Sequence, residues 1–193
     1  MLSLVAALLL LIAPVTPVTP VTPVTQDPKL YAIDKAHSEI NFNAEARFLS
    51  AHGFFNSWEA EVRFDPTNIT ASSVKITIDS KSITTRNDRR DNHLKSNDFF
   101  ATDSFPTITF VSKKITQTGE GKWDILGDLT IRGVTKEVTI PTQQVFYENG
   151  RGRFKGNFTV NRMQYGVKYQ SRINSIADEI DVQFNLSIIE PKG

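Results

Sequence analysis

Cysteine is absent from the 193 residues of this chain. That excludes disulfides, thiolate nucleophiles, iron–sulfur ligation, Cys-based zinc sites and cysteine-linked lipid anchors. Surplus charge of either sign is missing too, since 22 Lys and Arg face 21 Asp and Glu for a formal net charge of +1. A nucleic-acid binder needs a basic excess to meet phosphates, so no nucleic-acid partner is expected. Histidine is scarce, and His37, His52 and His93 show no pair at a metal-ligand spacing such as HExxH. No metal site is expected.

A membrane-spanning run is also lacking. Residues 2–13 are almost entirely apolar, but they fall short of the roughly 20 residues that cross a bilayer. They fit the hydrophobic region of a secretory signal peptide, so a periplasmic or secreted protein is expected. PVTPVTPVTPVT follows at residues 14–25. Proline at every third position fixes φ and removes donors, which forbids helix and sheet and reads as a semi-rigid spacer. Residues 1–25 are thus leader and spacer, and 29–190 form one folded domain.

What that domain has in abundance is alternation. Ile40, Phe42, Ala44, Ala46 and Phe48 are separated by polar residues, which predicts a strand with one face on a core. The pattern returns at Trp58–Phe64, Val74–Ile78, Ile108–Phe110, Trp123–Ile131, Val138–Ile140, Phe154–Val160 and Ile180–Ile188. His52-Gly53 reads as a turn or bulge, and Asn149-Gly150 as a type I′ hairpin. Residues 82–100, SITTRNDRRDNHLKSNDFF, break the alternation. Thr84 or Thr85 can cap a short helix there, over 87–95. Eight patterned strands without a βαβ signature predict an all-β fold: an eight-stranded antiparallel barrel with a short helical lid between strands three and four. Such a barrel holds packed side chains or one small ligand. Its small inward residues, among them Gly127 and Gly156, either fill a taper or leave a slot.

Catalytic constellations do not stand out. Neighbouring strand residues point to opposite faces, so His37 and Ser38 cannot face each other as a triad would require. Arg86, Arg89, Arg90, His93 and Lys95 crowd the lid, as a solvated face or a headgroup site. Arg162 and Tyr165 in NRMQYGV close a barrel end or touch a ligand. The sequons at Asn68, Asn157 and Asn185 carry no functional weight.

Several segments resemble the YceI-like family of exported, lipocalin-like proteins. They are IDKAHSEINFNAEARF, GFFNSWEAEVRFDP, SITTRNDRRDNHLKSNDFFATDSFPTITF, GDLTIRGVTKEVTI and NRMQYGV. The resemblance spans Tyr31 to Ile189 and leaves the leader and the PVT repeat outside. It implies a non-enzymatic protein that holds a polyisoprenoid, or a similar acyl or quinone-like lipid, as carrier or buffer. It requires no other cofactor, and it leaves room for a membrane-associated partner and a homodimer. On that reading Phe42, Trp58, Val62, Ile76, Phe110, Ile125, Phe158 and Phe184 line the cavity. Phe99 and Phe100 gate it, and Arg86, His93 and Arg162 contact a headgroup. Two alternatives stay open: an interaction module with a filled barrel, and an isoprenoid-modifying enzyme using His93 or His37 as general acid–base.

Overall fold

Period-two alternation makes strands, and a computed structural model of the chain, describing residues 27–191, shows how they join. The leader and the PVT repeat lie outside the described residues. The strand segments are β1 (Lys29–Ile33), β2 (Glu39–Ala44), β3 (Ala51–Phe55), β4 (Trp58–Phe64), β5 (Ser73–Asp79) and β6 (Ile83–Thr84). After the lid come β7 (Thr107–Gly119), β8 (Lys122–Ile131), β9 (Val134–Glu148), β10 (Arg151–Asn161) and β11 (Glu179–Ile189).

The first six segments are three bent strands. A 3-10 turn at Lys35–His37 separates β1 from β2, and both still pair with β11, at Ile33↔Ile188 and Phe42↔Val182. A break at Asn56 and Ser57 separates β3, on β2, from β4, on β1. A second 3-10 turn at Ser80–Ser82 separates β5, on β4, from β6, on β3. Counted this way, eight antiparallel strands follow one another in chain order, and the first returns to the last. The result is a closed eight-stranded antiparallel barrel. Closure leaves no long unpaired edge. The tight turns match their chemistry: Asn149 and Gly150 have φ of 49° and 72°, as a type I′ hairpin requires.

One ladder stops short. β9 and β10 pair from Glu148↔Arg151 to Thr142↔Gly156 and no further. The next residue of β9 is Pro141, which has no N–H to offer. The strands part there, and the segment after β10 reaches the same region, where Arg132 Nη1 donates to Gly166 O at 3.1 Å and Phe99 O at 2.7 Å.

Two details of the strands differ from the sequence reading. The first strand ends at Ala44, not Phe48. Ala46 bridges to Ile176 and Arg47 N donates to Ser175 O at 3.0 Å, so the chain leaves the barrel to meet the loop before β11. Phe48 is consequently 68% exposed. His52-Gly53 is no turn but the middle of β3, with Gly53 opposite Phe42.

The barrel interior has two unlike halves. At the end away from the lid an aromatic cluster narrows the lumen, with Phe64, Trp123 and Phe154 bordering the space that remains. Tyr31 and Phe64 meet edge-on at 5.5 Å, Phe64 and Phe154 edge-on at 5.3 Å, and Trp123 and Phe154 at a tilt at 5.8 Å. The Tyr31 and Tyr147 hydroxyls share a 2.6 Å hydrogen bond, and burial followed by that bond raises the Tyr31 pKa. Toward the lid, inward residues such as Phe158 are only half-buried.

The lid itself is α1 (Asp88–Lys95) with the turns that follow it. Its cap is Asn87, whose side chain accepts from Arg90 N at 3.0 Å, rather than Thr84 or Thr85. Those threonines instead hold Asp91, which is buried. The Asp91 carboxylate accepts from Thr84 Oγ1 at 2.9 Å, Thr85 N at 2.7 Å and the Thr85 hydroxyl. A buried carboxylate is tolerated only when so satisfied. Burial alone would raise the Asp91 pKa, but the bonds from Thr85 and Thr84, helped by Lys95, outweigh it and hold the group below the usual range.

Two measurements follow from these contacts. In urea denaturation, Phe154→Ala should cost about 3–5 kcal/mol because it removes a buried ring packed on Phe64 and Trp123, and Phe158→Ala, a half-buried ring, clearly less. Equal costs would mean that the two halves are packed alike. Since folding lowers the Asp91 pKa, its contribution is complete above the ordinary carboxylate value and fades as pH falls through the depressed one. Hydrogen exchange of the α1 amides should therefore accelerate in acid. Asp91→Asn should speed it at neutral pH, by the about 1–3 kcal/mol that a buried unsatisfied partner costs, and should flatten that acid dependence.

Candidate functional site

Along the barrel, several inward side chains are only half-buried because they border open space. Phe42, Phe55, Ile76, Ile125, Phe158 and Phe184 surround a cavity of about 500 Å³. That volume lies within the 300–1,000 Å³ typical of small-molecule sites. The interior is therefore not filled. The cavity runs from Ile69 and Ser72, beside the loop between β4 and β5, to Leu49, Ser171 and Asn174 at the lid end. Leu49 both borders the cavity and is 67% exposed, which puts it at a mouth.

Three glycines explain how so many aromatics leave space. Phe42 lies across Gly53 of the paired strand, and a Cβ there would stand 2.1 Å from the ring. Phe184 lies across Gly156 in the same way, with 2.2 Å to the ring. On β8, a Cβ at Gly127 would meet the Phe110 ring at 2.6 Å. Each ring is thus laid along the wall rather than into the lumen. Glycine in a strand commonly marks such a close approach.

The polar groups of the wall gather mainly at the lid. Arg90 and Leu94 sit one turn apart on α1 and both border the cavity, as does His93. The Arg90 side chain is steadied by Nε–H···Oγ1 of Thr85 at 2.7 Å and Nη2–H···O of Thr85 at 3.1 Å. His93 shares a hydrogen bond between Nε2 and Asp98 Oδ2 at 2.8 Å. Its ring meets Phe99 edge-on at 5.0 Å and Tyr169 at 4.8 Å, closing a small aromatic cap. Tyr165, also in the wall, has its pKa raised by burial.

Arg162 has a different task. Its guanidinium donates to Ala177 O at 2.9 Å, Val167 O at 2.7 Å, Tyr169 O at 3.0 Å, Ile176 O at 3.2 Å and Asp178 Oδ1 at 3.1 Å. An arginine has five N–H donors, so each is matched. The residue borders the cavity but ties the loop between β10 and β11 rather than offering a free donor. This is the barrel-closing role that its place after a strand suggested.

Of the residues singled out from sequence, Phe42, Val62, Ile76, Phe99, Phe100, Phe110, Ile125, Phe158, Phe184, His93 and Arg162 border the cavity. Two do not. Trp58 is buried in the wall at the bend between β3 and β4, under the Lys35 ammonium, which lies 3.7 Å from its ring centroid and donates to its carbonyl. Arg86 is exposed, in the left-handed region at φ 59°, with its guanidinium over the Phe54 ring. Sequence reading passed over Arg90, Leu94 and Tyr169 as lining residues. Helical phase from the Asn87 cap would have separated Arg90 and Leu94 from Arg89.

Among the described residues no group of three or more His, Asp or Glu is placed to hold a metal ion. His37 is likewise engaged outside the lumen, with Nδ1 2.9 Å from Asp34 Oδ2.

The fold has counterparts among solved structures. BcnA of Burkholderia cenocepacia, a solved structure, superposes with a TM-score of 0.76 at 26% identity, covering 81% of this chain and 99% of that one. A solved polyisoprenoid binding domain from Saccharophagus degradans, described as implicated in plant cell wall breakdown, has a TM-score of 0.66. At 16% identity, over 84% of this chain and all of that one, it shares the fold. A UPF0312 protein of Vibrio vulnificus is 39% identical over 118 residues, 60% of this chain, so the chain spans 62% of that relative's length. The family profile described as the YceI-like domain matches residues 31–188, and the chain belongs to the YceI-like family.

Proposed function

We propose that this protein holds a long apolar lipid, a polyisoprenoid or a chain of similar shape, inside its barrel, as an exported carrier or buffer. The observation that carries the reading is the 500 Å³ cavity, walled by aliphatic and aromatic side chains along the barrel. Burying apolar carbon yields about 0.8 kcal/mol per CH₂, so a dozen carbons offer roughly 10 kcal/mol. Association and ordering costs take back a large part, which leaves micromolar binding or tighter. Shape and apolar contact suffice for that, with Arg90 and His93 near the lid as the polar groups beside a head. The fold shared with a domain described as polyisoprenoid binding points the same way. The apolar leader at residues 2–13 supports export, and nothing in the reading calls for catalysis.

Native mass spectrometry of the exported protein, followed by solvent extraction, tests the reading directly. The expected result is a discrete added mass that yields a prenyl or acyl chain. Repeated recovery of the bare mass, together with no uptake of farnesol as a short prenyl alcohol, would overturn it. Farnesol uptake is read from the fluorescence of Trp123, which borders the cavity. In Gly53→Ala the new methyl displaces the Phe42 ring into the lumen, and farnesol affinity should fall by roughly tenfold, within the usual cost of overpacking. Phe42→Leu in the same chain should restore most of it. Unchanged affinity in the single variant would place the ligand away from Phe42.

A further inference from the structure

We infer that the two loops at the lid-end mouth dock onto an anionic lipid bilayer, so that the apolar ligand passes between membrane and cavity without crossing water. The loops are residues 45–50, between β2 and β3, and residues 166–178, between β10 and β11. Backbone bonds lock them together: Arg47 N to Ser175 O at 3.0 Å, Ala177 N to Glu45 O at 2.8 Å, and Phe48 N to Asn174 Oδ1 at 3.0 Å. The Arg162 guanidinium holds the second loop from beneath, through four carbonyls and Asp178. The loops therefore present their tips as one surface.

Those tips are apolar where a solvated loop would be polar. Phe48 is 68% exposed, Leu49 67% and Ile173 78%, the three most exposed of the large hydrophobic residues described. Phe48 N donates to the side chain of Asn174, the residue after Ile173, so the two exposed segments belong to one joined pair of loops. An exposed apolar cluster of this kind marks an interaction surface.

Charge selects the partner. The two loops contain Arg47, Lys168 and Arg172, all exposed, against two acids at their bases: Asp178, which pairs with Arg162, and Glu45, which accepts from Asn43 and Ser50. The Arg47 guanidinium lies over the Phe48 ring, 5.1 Å from its centroid, so a cation and an aromatic share one tip. Apolar tips ringed by Arg and Lys are the pattern that seats a protein at the boundary between headgroups and acyl chains of an anionic leaflet. Leu49 connects this surface to the lumen, because it stands in both. The purpose assigned to docking rests on the lipid-binding reading, but the docking itself is tested separately.

The barrel closes within residues 29–189, so the chain from Asp27 is used, free of the apolar leader. It is co-sedimented with phosphatidylcholine vesicles, with and without phosphatidylglycerol. The expected result is binding that requires phosphatidylglycerol and weakens with salt. Phe48→Ser with Ile173→Ser should lower the partition by about two orders of magnitude. Arg47→Glu with Arg172→Glu should lower it at least about tenfold. Neither pair borders the cavity, so farnesol titration should be unchanged in both and reports an intact barrel. Protein that binds farnesol yet ignores both kinds of vesicle overturns docking and leaves the lipid-binding reading standing, with a protein partner on this face. Protein that binds vesicles through these residues yet takes up no farnesol upholds docking and, with a bare mass in the native spectrum, overturns the lipid-binding reading. Variants that sediment like the wild type overturn the assignment to these loops.

Discussion

Three phenylalanine rings lie against glycines, and the open lumen depends on that arrangement. A strand residue whose neighbour across the ladder has no Cβ can lay its ring along the sheet. Phe42 on Gly53 and Phe184 on Gly156 do this between directly paired positions, and Phe110 on Gly127 does it one step along the ladder. Were those glycines alanines, contacts of 2.1 to 2.6 Å would force each ring inward. An eight-stranded barrel has little interior to spare. Three displaced rings would fill much of it, and an apolar container would become an ordinary packed core.

Keeping that space open costs stability, since half-buried aromatics forgo part of the contact that close packing provides. The molecule compensates in two places. At the far end, Tyr31, Phe64, Tyr147, Phe154 and Trp123 pack edge-on or tilted against one another and narrow the lumen. At the lid end, two buried charged groups tie down the irregular chain: Asp91 holds α1 to Thr84 and Thr85, and Arg162 gathers the carbonyls of the loop before β11. Charged groups suit this work. A loop that cannot make ladder bonds still has amides and carbonyls to satisfy, and one carboxylate or guanidinium meets several of them at once.

Much of the barrel was legible because alternation is a property of the chain alone. Each of the eight runs became a barrel strand, and Asn149-Gly150 became its hairpin. Where the reading strayed, the deciding information was not local. Phe48 continues the alternation of Ile40, Phe42 and Ala44, yet a bridge from Ala46 to Ile176 takes the chain out of the barrel before it. Trp58 has the right parity, but the bend beside it seats the ring under Lys35 instead of against the lumen. Parity says which face a side chain takes, not how far it reaches. Gly127 and Gly156 were visible in sequence as inward glycines and Gly53 was read as a turn or bulge, while the choice between a filled taper and an open slot lay in the rings across from them. The lid was found as a helix, but its phase depends on which residue caps it. Moving the cap to Asn87 turns Arg90 and Leu94 toward the cavity and leaves Arg86 outside.

The use made of Arg162 bears on what the site can distinguish. An arginine in the wall of an apolar cavity suggests an anchor for an anionic head, yet here every N–H already has an acceptor. Recruiting it for a ligand would release carbonyls of the 166–178 loop without partners, and unsatisfied buried acceptors are expensive. Arg162 is thereby withdrawn from recognition, and the polar groups that border the cavity include Arg90 and His93 at the lid and Arg63, Ser72, Ser73 and Thr142 toward the other end. A cavity built this way selects first by the shape of an apolar chain and second by whatever head reaches either polar end. That order fits the chemistry of the wall, in which aromatic and aliphatic carbon far outnumbers hydrogen-bonding groups.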